Sequence, residues 1–380
     1  MKRNKKCGNK NLEPERVLMV LTSVSIGGGV QTKIMDIYRK IDKSRVQFDF
    51  LVHTYDPNEK SFKGEIESLG GKIFFFGRVK DIGLYSYIKS LYKLIKHGNY
   101  KAVHSYIGIL DGLILFIAKI LNVQIRISHV RTIFRNTGKK KLLHPLLKYL
   151  IIKSHTHLLA SSTQAGKSLY GKKKFEVIPN PIDVEKYFNI NNMKLRHLKE
   201  KLNISKDEIV LGHVGRFSWE KNHEFLLKIC LILKKKSIPF KLILVGDGEL
   251  RDEIEKKVNK IGLDKSILFV GAQTNPEYYY RLFDIFLFPS LYEGFGNVVI
   301  EAQISNNFVI ASNAITSETD LGFGLIKYLS LEKIDDWIDA ILKCSYPPKK
   351  ISEIETKKVI NERFFSIEKN IEKYYSIYDV

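Results

Sequence analysis

The sequence predicts an α/β protein built from two doubly wound parallel-sheet domains, and three observations carry that prediction. Short apolar runs of strand length alternate with helical stretches along most of the chain, the pattern of a parallel sheet covered by helices. The alternation lapses in a polar stretch at 189–207 and then starts again. Charge divides at the same place: residues 1–187 hold 34 Lys and Arg against 14 Asp and Glu, while 188–380 hold 28 against 27. A chain of 380 residues is long for one domain and comfortable for two. The expected division is 1–188, with 1–15 polar, basic and disordered, then 189–362. A closing helix within 363–380 is free to pack back on the first domain.

Residues 16–22 read as a buried first strand that runs into Gly27, Gly28 and Gly29, then into a helix patterned by Ile34, Ile37 and Ile41. Glycines in such a turn let the backbone approach a ligand closely. Strands follow at 48–52, 72–76, 102–105, 124–129, 156–161 and 175–178, with helices such as 84–96 and 111–121 between them. The second series has strands at 209–214, 240–245, 267–270, 284–288 and 308–311. No short-period repeat and no low-complexity tract interrupts either series.

Composition narrows the class. Hydrophobic content of 44% and charge of 27% are ordinary for a globular protein. Cys7, Cys230 and Cys344 have neither metal-ligand nor redox spacing, which fits a reducing, cytoplasmic compartment. The apolar run after the basic start is too short for a signal core, and 113–121 is too short to span a bilayer. The net charge of +21 calls for an anionic partner, either nucleic acid or an anionic membrane surface. Zinc-finger spacing, RNA-stacking aromatics and a basic-helix pattern are all missing, which argues against nucleic acid. The stretch 139–153 mixes lysines with Leu142, Leu143, Leu146, Leu147, Tyr149 and Ile151. It reads either as an interfacial helix or as a helix packed on the sheet.

Two places carry candidate chemistry. After the strand 284–288 come Glu293, Gly294, Phe295, Gly296, Asn297 and Val298, then Glu301 in an apolar helix. Strand, Gly-rich loop and helix place N–H groups where phosphate binds, at the strand C-termini that hold ligands in open α/β sheets. Glu301 alone is equally a solvated helix residue. Arg216 and Lys221 follow the strand 209–214, where two cations either clamp a pyrophosphate or simply cap a helix.

Taken together these motifs resemble the retaining GT-B glycosyltransferases of family 4, in their bacterial exopolysaccharide and capsule branch. Glu293 and Glu301, with Gly294-Phe295-Gly296 between them, match the E-x7-E signature; Gly215-Arg216 with Lys221 matches G-R-x4-K. Gly28-Gly29-Val30 resembles the family's loop over the donor diphosphate. Asn180-Pro181-Ile182-Asp183, 160–166, 124–129 and 314–318 resemble further family segments. The resemblance implies two Rossmann-like domains facing across a cleft, a nucleotide-sugar donor (a UDP-sugar favoured) and a lipid-linked or oligosaccharide acceptor. It implies that Glu293 lies beside the donor sugar, Glu301 binds the ribose hydroxyls, and the glycine amides of 27–29 and 294–296 face sugar and diphosphate. It also implies a histidine near the anomeric carbon. His104 is the first candidate and His129 the second, with Tyr106 standing where the family's pattern has another histidine; His104 alternatively reads as a buried structural residue. No Asp-x-Asp motif and no cofactor motif is present, so transfer is expected to need no metal. The expected location is the inner face of the cell membrane. The competing readings are a nucleotide-sugar epimerase on the same fold and, from another class, a nucleic-acid-binding protein.

Overall fold

The computed structural model describes residues 13–26, 29–54, 60–134, 141–344 and 350–380. The first sheet holds β1 (Glu15–Leu21), β2 (Val46–Val52), β3 (Ile73–Phe75), β4 (Ala102–Ser105), β5 (Ile125–Val130), β6 (His157–Ala160) and β7 (Glu176–Val177). Their order is β3-β2-β1-β4-β5-β6-β7, with every pairing parallel. The second holds β8 (Ile209–Val214), β9 (Phe240–Val245), β10 (Ile267–Gly271), β11 (Ile285–Phe288), β12 (Phe308–Ser312) and β13 (Ile326–Leu329), ordered β10-β9-β8-β11-β12-β13 and again all parallel.

The apolar runs become central strands because both faces of each sheet are covered. In β1, Val17, Met19 and Leu21 enter one core while Leu18 and Val20 enter the opposite one, as a period of two requires. In the second sheet, Leu242 and Leu244 face one core and Ile243 and Val245 the other. Strand order reverses between β1 and β4 and between β8 and β11. Ligands bind outside the strand ends at such points, so the loops after these four strands are where chemistry is expected.

The chain crosses between the domains twice, side by side. Ile182 donates its N–H to the Phe365 carbonyl at 2.7 Å and bridges to Ser366. The last helix, Ile367–Tyr378, then returns to the first sheet, where Tyr374 and Tyr378 are fully buried. Two features differ from the sequence reading. The polar stretch at 189–207 contains a helix, Asn192–Lys201, started by the Asn191 side chain accepting from Lys194 N–H. The strand β13 was not foreseen, since it is four residues long and sits at the sheet edge. Residues 1–12, and with them most of the stretch read as disordered, lie outside the described residues. Among the described residues no helix is long and apolar enough to cross a membrane.

Candidate active site

The adjacent strands β8 and β11 deliver two loops to one place. After β8 the chain passes Gly215 and Arg216 into the 3-10 turn Trp219–Lys221. After β11 it runs through Pro289–Gly296 into the helix Asn297–Ile304. Leu291 N–H donates to the Glu220 carbonyl at 2.8 Å, and Asn222 Nδ2 donates to the Pro289 carbonyl at 3.2 Å. Lys221 Nζ donates to the Glu293 carboxylate, and both side chains are 15% exposed. The same ammonium lies 4.9 Å from the centre of the Phe288 ring. Arg216 is more open: its side chain is 69% exposed and pairs with Glu249 at 3.0 Å. Of the two expected cations, Lys221 is the desolvated one.

Gly296 caps the following helix with φ near +100°, a left-handed conformation that favours glycine. No side chain caps that helix, so its first N–H groups are available to an anion. Asn297 opens the helix with a buried Oδ1 that has no hydrogen-bond partner among the described residues. Gly294 is needed for a different reason: a Cβ there would sit 2.8 Å from the Arg131 carbonyl oxygen in the first domain. Ser162 Oγ, also from the first domain, donates to the Gly294 carbonyl at 2.6 Å. The glycine loop therefore reaches across the cleft, with Phe295 buried behind it against Phe365.

Glu301 is the fifth residue of its helix, a little over one turn in. It is buried, not solvated. Lys33 Nζ donates to Oε1 at 2.8 Å, and the Tyr280 hydroxyl donates to Oε2 at 3.1 Å. Lys33 belongs to the helix Gly29–Lys40 of the first domain, so this ion pair joins the two domains. Burial disfavours the Lys33 ammonium, yet the Glu301 and Asp36 carboxylates outweigh that and hold it above its ordinary value. Gly29 starts that helix with open space around it, while Gly27 and Gly28 lie outside the described residues. Val298 is half-buried beside Asn297.

The first-domain candidates are placed otherwise than expected. His104 is fully buried, its Nδ1 2.7 Å from the Tyr378 hydroxyl and its Nε2 3.1 Å from His129 Nδ1. Burial, with the Arg131 guanidinium nearby, holds both imidazoles well below their ordinary value. Both His104 nitrogens are engaged under the last helix, the setting of the buried structural histidine that the sequence offers as its alternative reading. His129 is equally buried and offers no exposed face to an acceptor. Tyr106 stacks on His104 at 4.5 Å, is half-buried, and meets the Tyr374 hydroxyl at 3.1 Å.

Three residues escaped the sequence reading: Lys33, Tyr280 and Arg131. Lys33 did leave a signal. It shares a helix face with Ile37 and Ile41, and a charge on an apolar face is paired. Arg131 joins Asn180 at 2.6 Å and Tyr374 at 3.0 Å while lying 5.0 Å over the Tyr106 ring. Closure of the domains brings Lys33 to Glu301 and Tyr280, whereas the partners of Arg131 come from the first domain and the last helix that packs on it.

Two doubly wound parallel-sheet domains that meet across a cleft form the GT-B fold. The family described as glycosyl transferases group 1 matches residues 196–321, the span that holds both site loops. EpsF of Bacillus subtilis (strain 168), named as a glycosyltransferase, is 34% identical over 380 residues, covering 97% of this chain and 98% of that one. The UDP-Gal:alpha-D-GlcNAc-diphosphoundecaprenol alpha-1,3-galactosyltransferase of Escherichia coli is 29% identical over 311 residues, 76% and 78% of the two chains. Anabaena Alr3699/HepE, solved in complex with UDP and glucose, shares the GT-B fold at a TM-score of 0.75, over 96% of this chain and 99% of that one at 17% identity. The chain belongs to the group 1 glycosyltransferases.

Proposed function

We propose that the protein is a retaining, family 4 glycosyltransferase that moves a sugar from a UDP-sugar to a lipid-linked glycan in surface polysaccharide assembly. The observation that carries this reading is Lys221 paired to Glu293 beside the uncapped start of the helix Asn297–Ile304. When the bond from the anomeric carbon to the phosphate oxygen breaks, negative charge gathers on the departing diphosphate. Lys221, Arg216 and the helix N–H groups are placed to stabilise that charge, which grows in the transition state. Glu293 positions the sugar, and the buried carboxylate of Glu301 accepts from the ribose hydroxyls. The departing phosphate takes the acceptor's proton on the same face of the sugar, which retains configuration and asks nothing of a histidine. The absence of an Asp-x-Asp motif supports transfer without a divalent ion, and undiminished turnover in EDTA is the expected result.

The test is transfer from UDP-, GDP- and dTDP-sugars to a diphosphoundecaprenol-linked N-acetylglucosamine, with the anomeric configuration read by NMR. A retained linkage from a UDP-sugar is expected; an inverted one sinks the retaining mechanism. The UDP-galactosyltransferase relative that acts on an undecaprenol-linked sugar supports donor and acceptor class alike.

The first domain supports placement at an anionic membrane face. Helices Asp111–Ile120 and His144–Ser154 pack closely through Gly112, where a Cβ would lie 2.2 Å from the Leu147 carbonyl oxygen. Ile151 turns inward, while Leu142, Leu143, Leu146, Tyr149, Phe116 and Ile120 are exposed. The packed reading of 139–153 describes the inner side of the helix, and its exposed apolar side supports the interfacial reading; residues 139 and 140 lie outside the described residues. Each cation near an anionic surface adds about 1 kcal/mol, so a few lysines give reversible docking. Sedimentation with anionic but not neutral liposomes is the expected outcome; equal binding to both overturns it.

A further inference from the structure

We infer that Trp219 and Tyr292 form an aromatic shelf at the mouth of the cleft that takes a pyranose ring of the glycan acceptor. The inference rests on the transferase reading and places an acceptor contact on the second domain. The two rings lie 6.0 Å apart at 47°, and Trp219 is 62% exposed. They come from the same two loops as the Lys221–Glu293 pair: Trp219 lies two residues before Lys221, and Tyr292 one before Glu293. The charged rung is 15% exposed on each side, whereas Trp219 is 62% exposed and Tyr292 half-buried beside it, so the shelf stands outward of the place given to the donor sugar.

The shelf is held, not floppy. Lys221 N–H donates to the Ser218 carbonyl at 3.1 Å, Leu291 N–H to the Glu220 carbonyl at 2.8 Å, and Phe217 beneath the turn is buried. A large aromatic on a fixed turn loses little freedom on binding, since it has only two side-chain torsions. The faces of a pyranose are lined by C–H groups, and covering them with an aromatic plane removes apolar surface from water. With the transferred sugar against Glu293, the next ring outward is the acceptor's. His104 and His129 are buried beneath the last helix and leave that contact to other groups.

The chain contains two tryptophans, and the second, Trp337, is fully buried. Acrylamide quenching therefore reports on Trp219, and Trp219→Phe supplies the baseline. The experiment adds methyl α-N-acetylglucosaminide and methyl α-galactoside, each with and without UDP, and in a separate arm anionic lipid vesicles, and follows UDP binding by calorimetry. Protection of Trp219 by a glycoside, with UDP affinity unchanged in Trp219→Ala, is expected. In turnover with the lipid-linked acceptor, Trp219→Ala should raise the acceptor KM by up to about tenfold and leave the donor KM in place, with Trp219→Phe restoring most of it. Protection by UDP alone assigns the ring to the nucleotide and overturns the shelf. Protection only by lipid vesicles assigns it to the membrane and overturns it too. UDP binding without any glycoside protection refutes the shelf and spares the transferase reading, whereas no heat with UDP sinks both.

Discussion

The two glutamates of the donor loop each hold a lysine, and the lysines come from opposite sides of the cleft. Glu293 pairs with Lys221 of its own domain at the cleft lip. Glu301 pairs with Lys33 of the other domain, and both side chains are 9% exposed. The first pair is built by two adjacent loops and persists however the domains move. The second exists only while they are closed. One pair lies within the second domain at the proposed donor site, and the other ties the two domains together.

The largest expected effect breaks the first pair. Lys221→Ala should lower turnover by about 10²-fold, as loss of a preorganised donor to a developing anion does. Arg216→Ala should cost less, because its guanidinium is exposed and acts through high dielectric. Steady-state kinetics on the folded variants decide this. Equal losses would mean that Arg216 swings in from the rim on donor binding, and near wild-type turnover for both would remove the phosphate role.

Next comes Glu301. A hydrogen bond to a charged group contributes about 1.5–3 kcal/mol, so Glu301→Gln should weaken UDP binding by roughly tenfold or more. Glu293→Gln should leave UDP affinity alone and lower turnover. Calorimetry against kinetics separates the two, and the reverse pattern would exchange the roles of the carboxylates.

This contrast also explains what the sequence made legible. The Lys221–Glu293 site is written in two short contiguous motifs, each set by a strand end and the turn that follows it, so reading the residues locates it. The Lys33–Glu301 pair joins groups 268 residues apart, and nothing local says that the Gly29–Lys40 helix meets Tyr280 and Glu301. The surroundings of His104 were hidden for the same reason in reverse. A histidine at the end of β4 sits on the correct sheet edge, but the Tyr378 hydroxyl that occupies it arrives 274 residues later. The parallel sheets were legible because burial on both faces turns their strands into continuous apolar runs. The edge strand β13 and the helix Asn192–Lys201 lack such runs and were not.

The smallest expected effect sharpens the comparison most. Lys33→Met removes the cation but keeps most of the buried stem, leaving Glu301 with only the Tyr280 hydroxyl. A buried carboxylate that loses its cation is costly, so the domains relieve it by opening and letting water in. Small-angle scattering without nucleotide should then show a larger radius of gyration for Lys33→Met and an unchanged one for Lys221→Met, whose pair lies within one domain. Adding UDP should close Lys33→Met again, since ribose hydroxyls donate to the same carboxylate, at a cost of a few-fold in affinity for the lost closed population. Lys33→Arg, which conserves the charge, should behave closer to wild type than Lys33→Met. Should Lys33→Met stay as compact as wild type, the interdomain pair carries no part of closure, and the hold falls to Arg131, Ser162 and the Gly294 loop they touch.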